Sequence, residues 1–280
     1  MPADLDVVWQ VMKWPLAACL LLPPLLVYLG LHVVKREVIF VDLALAQVAT
    51  LGTCVAMLMG HDPHERVSFW ISLVVTFGAA ALFSWSRSVK KHAVPQEAII
   101  GITFVVAAAG VILMLSHVAG GKEELEHLLT GDILNVTGAD VLQRTGLFLV
   151  LAGFFAALHK RFALISADHD HETVDGMNVG LWDFLFYAAF AIVVVSFVRV
   201  AGVLLTFAYL IVPAVCAVML AKTWKSRLIV GWVVATAASL IGLTASYQLD
   251  LPTGAAIVCA SGLLLVVVGT YATVRHPAEG

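Results

Sequence analysis

The loop G-H-D-P-H-E-R at 60–66 sets two imidazoles and two carboxylates side by side, His61, Asp62, His64 and Glu65, and Pro63 permits a turn that brings His61 and His64 together. Imidazole binds most first-row transition metals and carboxylate oxygens complete such sites, so the loop is a candidate metal-gathering segment; a solvated polar connection is its other reading. A second cluster, H-D-H-E at 169–172, admits the same two readings. Two polar residues, Asp42 and Gln47, interrupt an apolar run. A carboxylate in hydrocarbon is costly and by default a functional candidate. Gln47 can donate and accept hydrogen bonds, so it could line a path or tie two helices together. Against a path, Asp42 lies about 9 Å beyond Arg36 along a helix axis, within reach of pairing with Lys35 or Arg36. Pro213 stands in a third apolar run. A break there frees carbonyls that neighbouring helices or a cavity must satisfy, and transport paths are often built around such breaks; a packing kink is the alternative.

Enzymatic readings fare poorly. H-D-P-H-E has neither H-E-x-x-H nor H-x-x-E-H order, and Pro63 breaks the helix those zinc sites need. Ser261 lacks the leading glycine of G-x-S-x-G, and no G-x-x-x-x-G-K-[ST] phosphate loop occurs. His32, His92, His117, His127, His159 and His276 lie near the ends of apolar runs and read as interfacial. Cys19, Cys54, Cys216 and Cys259 are far apart inside apolar runs and read as small core residues.

The elements that must position these residues are membrane helices. Of 280 residues, 61% are hydrophobic and 12% charged, and mean hydropathy is +0.98, whereas soluble domains carry about 25% charged residues. No basic block points to nucleic acid. The first residues, with Asp4 and Asp6, lack a basic start and a small-residue cleavage site, so the first apolar run is expected to stay as a helix. Apolar stretches at 15–34, 37–59, 67–86, 97–117, 141–159, 181–198, 201–221, 228–248 and 253–273 predict an all-α integral membrane protein, one polytopic domain over 1–280 with about nine spans. Eight would follow if 201–221 is broken or re-entrant, or if the first span is not a full crossing. Every second connection is basic, through Lys35 and Arg36, then Arg87, Lys90 and Lys91, then Lys160 and Arg161, then Lys222, Lys225 and Arg227, then Arg275. The intervening loops hold only Arg66, Lys122 and Arg199. Basic loops face the cytoplasm, which predicts an outward N-terminus and a cytoplasmic C-terminus.

Several stretches carry more than hydrophobicity. V-A-G-V-L-L-T-F-A-Y-L-I-V-P-A from 200 is followed by Y-Q-L-D-L-P-T-G-A from 247. The pair resembles the G-V-L-L-x-F-A-L-L-x-L-P-A and Y-x-L-D-L-P-S-G-A stretches of the membrane permeases of bacterial ATP-binding-cassette importers for zinc, manganese and iron. D-H-D-H-E-T-V-D-G-M-N-V-G-L-W-D-F-L-F-Y, 168–187, resembles that family's D-P-E-x-A-x-x-x-G-x-x-V-x-x-x-D-x-L-F-Y, matching at Asp168, Asp170, Gly176, Val179 and Asp183 and departing at His169, His171 and Glu172. H-L-L-T-G-D-I-L at 127–134 and E-A-I-I-G-I-T-F at 97–104 extend the likeness, which covers most of the chain after residue 36.

The resemblance implies a transport subunit without chemistry of its own. It binds no cofactor, and ATP is hydrolysed by a separate cytoplasmic ATPase that docks on a coupling loop at about 163–180. An extracytoplasmic binding protein and a second copy of the chain complete the assembly in the bacterial cytoplasmic membrane, among its lipids. The cargo implied is a divalent transition metal. One departure bears on it. In its second helix the family has G-D-A-L-S-H, an Asp and a His on one face; here Leu43 and Gln47 occupy those positions. Asp42 stands one residue early and about 140° around the helix from Gln47, so the two do not replace the pair. A metal chelate or organic nutrient as cargo, or a standalone carrier or channel, are the competing expectations.

Overall fold

A chain that crosses hydrocarbon must satisfy its own backbone, and the computed structural model does so with helices. It describes residues 5–88, 95–118, 120–131, 133–166 and 179–275. In order these form α1 (Leu5–Leu21), α2 (Pro23–Lys35), α3 (Val41–Leu58), α4 (Arg66–Ser88), α5 (Gln96–Leu115), α6 (Gly121–Thr130), a 3₁₀ turn (Ile133–Asn135), α7 (Gly138–Ile165), α8 (Val179–Leu220), α9 (Trp224–Leu249) and α10 (Thr253–Arg275), with no strand among the described residues. Pro23 and Pro24 start α2, where a missing N–H costs nothing. Thr137 and Asp140 close a capping box that starts α7. The short helix α6 falls in a stretch that the sequence reading leaves as loop.

Among the described residues, eight helical stretches are long and apolar enough to cross a membrane, the first running from Met12 to Lys35. The 42-residue α8 counts as one of them, but at 1.5 Å per residue it would be about 63 Å long, twice the hydrocarbon thickness. It is a hairpin. Phe197 and Tyr209 would lie about 18 Å apart along a straight helix, yet their ring centroids are 6.0 Å apart. The reversal sits at Gly202, whose φ of 73° and ψ of 172° only glycine adopts readily. The arms 179–201 and 203–220 are therefore separate membrane-length segments, which raises the eight stretches to nine. The break falls at Gly202, and Arg199, read from sequence as part of a loop, lies inside the first arm.

The helices alternate between two ends of the bundle. At one, here the basic end, Lys35 donates to the Ala163 carbonyl (3.4 Å), the Arg161 guanidinium lies 4.9 Å from the Trp182 ring, Ser84 donates to the Gly180 carbonyl (2.8 Å), and the rings of His32 and Trp224 meet at 4.9 Å. The ends of α2, α4 and α7 thus gather with the starts of α8 and α9. At the distal end, Arg199 donates to the carbonyls of Pro63 (2.6 Å) and Glu65 (3.2 Å).

Three stretches far apart in sequence also converge at the distal end. A Cβ on Gly202 would strike the Gly131 backbone, one on Gly131 would strike Ala201, and one on Gly254 would strike the Thr130 carbonyl. Gly131 too has positive φ. Around Gly254, Ser246 donates to the Leu251 carbonyl and meets the Thr253 hydroxyl, both at 2.7 Å, which pins the turn after α9. α3 and the span from Met12 to Lys35 are the most enclosed, followed by α8, whereas α5, α7 and α10 turn residues such as Leu113, Val150 and Leu263 outward. Lipid rather than water suits that surface.

Candidate functional site

α3 runs through the interior against α4, α5 and α8. Its hydroxyls, and those of α4 beside it, are buried but satisfied: Thr50 donates to the Ala46 carbonyl (3.0 Å), Thr53 to Ala49 (3.2 Å), Ser72 to Ala49 (2.6 Å) and Thr76 to Ser72 (2.6 Å). Asp42 and Gln47 differ from them. Asp42 is 1% exposed and Gln47 6%, and neither the Asp42 carboxylate oxygens nor the Gln47 Oε1 has a hydrogen-bond partner. Asp42 does not pair with the basic residues before it. Arg36 bonds elsewhere, and Lys35 turns to Ala163. Leu43 packs against the core. α3 therefore carries two unmet polar groups, about 7.5 Å apart along its axis.

Above α3 at the distal end is a cavity of about 280 Å³ lined by Thr53, Pro63, His64, Glu124, His127, Leu128, Gly131, Val198 and Arg199. Only one member of the 60–66 loop quartet, His64, lines it. His61 meets Glu65 (Nδ1 to Oε2, 3.1 Å), and the Asp62 carboxylate accepts from the His64 amide (2.7 Å). The loop spends its carboxylates on its own turn and imidazole, so the four do not converge. Glu124 and His127 of α6 face the same cavity, although sequence spacing gives no reason to group them with His64. Among the described residues, no three His, Cys, Asp or Glu side chains are gathered closely enough to hold a metal ion.

Pro213 is buried in the second arm of α8, which continues helically through it; the broken position is Gly202. Cys19, Cys54 and Cys216 are buried free thiols, and Cys259 faces outward.

The basic end holds a polar junction. The Arg36 guanidinium donates to Asp183 (Nη1 to Oδ1, 2.8 Å), with both side chains almost wholly buried. Its Nε donates to the Ser166 hydroxyl (2.8 Å), which meets His32 Nδ1 (3.0 Å), and the guanidinium carbon stands 4.0 Å from the Phe186 ring centroid. His32, read as interfacial from sequence, is fully buried here amid the rings of Tyr28, His159, Phe186 and Trp224. Of the coupling-loop matches, Val179 opens α8 and Asp183 lies one turn in; Asp168, Asp170 and Gly176, with the H-D-H-E cluster, lie outside the described residues. Arg36 and Ser166 are functional candidates that sequence reasoning missed. A signal existed, because an aspartate inside the apolar run 181–198 needs a cation, and the basic connections supply only a few.

The profile of the ABC 3 transport family matches residues 8–272. The chain belongs to that family. Among relatives of this ABC 3 protein, the probable iron transport system membrane protein of Haemophilus influenzae is 27% identical over 232 residues, 83% of each chain. The manganese transport system membrane protein MntC of Listeria monocytogenes is 25% identical over 244 residues, 87% of this chain and 84% of the relative. The structure of PsaBC from Streptococcus pneumoniae in complex with Fab shares the fold, with a TM-score of 0.78 at 22% identity, covering 96% of this chain and 95% of that one. In this ABC 3 member, three of the sequence stretches that resemble the metal-importer permeases are those whose glycines, Gly131, Gly202 and Gly254, meet at the distal end.

Proposed function

We propose that the chain is the membrane-spanning subunit of an ATP-driven importer that carries a divalent transition metal of the zinc, manganese or iron class. Membership of the ABC 3 transport family over nearly the whole chain carries this reading, and relatives named for iron and manganese transport support the cargo class. Two copies form the pore in the bacterial cytoplasmic membrane, with the basic end and the C-terminus cytoplasmic. An ATPase docks on the loop at about 163–180, where Asp168, Asp170, Gly176, Val179 and Asp183 match the family's coupling segment, and a binding protein delivers cargo at the distal end. ATP drives alternating access by rigid-body movement of helices.

The cavity beneath His64 receives the cargo, which then passes Gln47 and Asp42 on α3, with Pro213 of the second α8 arm as a further member of the path. A dehydrated cation in that interior needs ligands, and Asp42 and Gln47 are the α3 groups with unspent capacity. A second reading keeps the importer but makes the cargo a metal chelate. It is favoured by Leu43 and Gln47, which replace an anionic and an imidazole ligand with an apolar and a neutral one.

Reconstitution with the ATPase and binding protein in vesicles, assayed separately with zinc(II), manganese(II) and iron(II), is expected to give ATP-dependent accumulation of at least one of them. An active, bound ATPase with no accumulation of any metal removes the bare-metal cargo and leaves the chelate. A chain that never associates with the ATPase, whatever the nucleotide, removes the importer.

A further inference from the structure

The Arg36–Asp183 pair reaches beyond packing because of which elements it joins. Ser166 caps the end of α7 and Asp183 sits in the first turns of α8, so the two residues flank the connection between those helices on both sides. Arg36, at the cap of α2, bonds both at 2.8 Å. Its Nε can only donate, so the Ser166 hydroxyl accepts from it and its own proton is free for His32 Nδ1, which ties the junction to α2 a second time. α2 in turn packs on the second arm of α8 at Gly30, where a Cβ would strike the Leu210 carbonyl.

We propose that Arg36 is a positioning residue that fastens both ends of the α7–α8 connection to α2, so that force delivered to that connection moves α2, the end of α7 and the start of α8 as one body. This rests on the reading of the connection as the ATPase coupling loop. The geometry favours a mechanical role over a stabilising one. A buried ion pair contributes little net stability compared with apolar residues of similar volume, because both charges lose their hydration. What the guanidinium adds is direction, since its planar fork fixes two acceptors from two helices at once.

The test compares the wild type with Arg36→Met/Asp183→Leu, which removes both charges together, and with Arg36→Lys and Ser166→Ala, which keep the ion pair but lose the link to Ser166. Spin labels at the exposed positions Glu37 and Lys160 report the separation of the α2 and α7 ends in the reconstituted complex, with and without ATP. The wild-type separation is expected to stay constant through the nucleotide cycle. In the apolar double variant, where it folds and binds the ATPase, the separation is expected to shift by about 1–2 Å or more on ATP binding.

A double variant whose label separation stays constant overturns the proposal, as does a wild type whose two ends part on ATP binding. Should the double variant fail to fold, Arg36→Lys and Ser166→Ala decide: a nucleotide-dependent shift in either supports the anchor, and constancy in both overturns it. Failure of the wild-type chain to bind the ATPase overturns the coupling reading beneath it and is seen before any distance is measured.

Discussion

Asp42 buries a carboxyl group whose oxygens meet neither water nor a side-chain partner, and such a group costs free energy unless something else uses it. Asp42→Asn keeps the shape and removes the ionisable group. It is expected to raise the stability of the purified protein by about 1 kcal/mol, read as an upward shift of the thermal midpoint, while transport falls on the order of tenfold, about 1.4 kcal/mol on the barrier. Unchanged transport would take Asp42 off the pathway. Arg36 presents the opposite case, because its charge is paired with that of Asp183. Arg36→Gln takes the guanidinium from the buried Asp183 carboxylate and is expected to cost about 3–5 kcal/mol, whereas the matched apolar pair is close to neutral; denaturation in detergent compares the two. Gln47 lies between these extremes, with no charge to strand. Gln47→Leu is expected to leave the thermal midpoint within about 1 kcal/mol of wild type and to lower transport if its oxygen serves the cargo.

Gly202 governs the longest helical element by one backbone conformation. Gly202→Ala places a Cβ against the Gly131 backbone and asks an L-residue to adopt φ near 73°, so it is expected to abolish stable folding, seen as loss of the monodisperse peak in detergent. Gly78→Ala is the control. Nothing stands within 4 Å of the Cβ it adds, and the gain in helix propensity is expected to be about 0.5–1 kcal/mol. At this scale the sequence was legible in one respect and opaque in another. Hydropathy and alternating basic connections located the spans and paired their ends correctly, because both are local properties summed over about 20 residues. The same averaging hides a reversal that occupies a single residue, so the turn was read near Arg199 when it lies at Gly202. Partner choice was opaque for a different reason. The cation that meets Asp183 sits 147 residues away, and neither this pairing nor the grouping of His64 with Glu124 and His127 follows from spacing along the chain.

Across the whole molecule, the grouping of Lys35, Arg36, Arg161 and Arg227 at one end is a geometric fact, and its sidedness is a prediction. In a Cys259→Ser background, a membrane-impermeant thiol reagent applied to intact cells should label Glu65→Cys, and should reach Lys222→Cys only after permeabilisation. The reverse pattern would invert the topology. The α8 hairpin gives this arrangement a mechanical consequence. Its arms are joined at the distal end through Gly202 with almost no slack, and their other ends are both held by α2, Asp183 by Arg36 at its cap and Ala217 in a cluster with Val27 and Leu31. The pair is a set of tongs hinged at the tip and clasped near the grip. Over an arm of about 27 Å, a 5° rotation at the hinge would part the other ends by ~2 Å, so a movement that small has to break the hold of α2 on one arm.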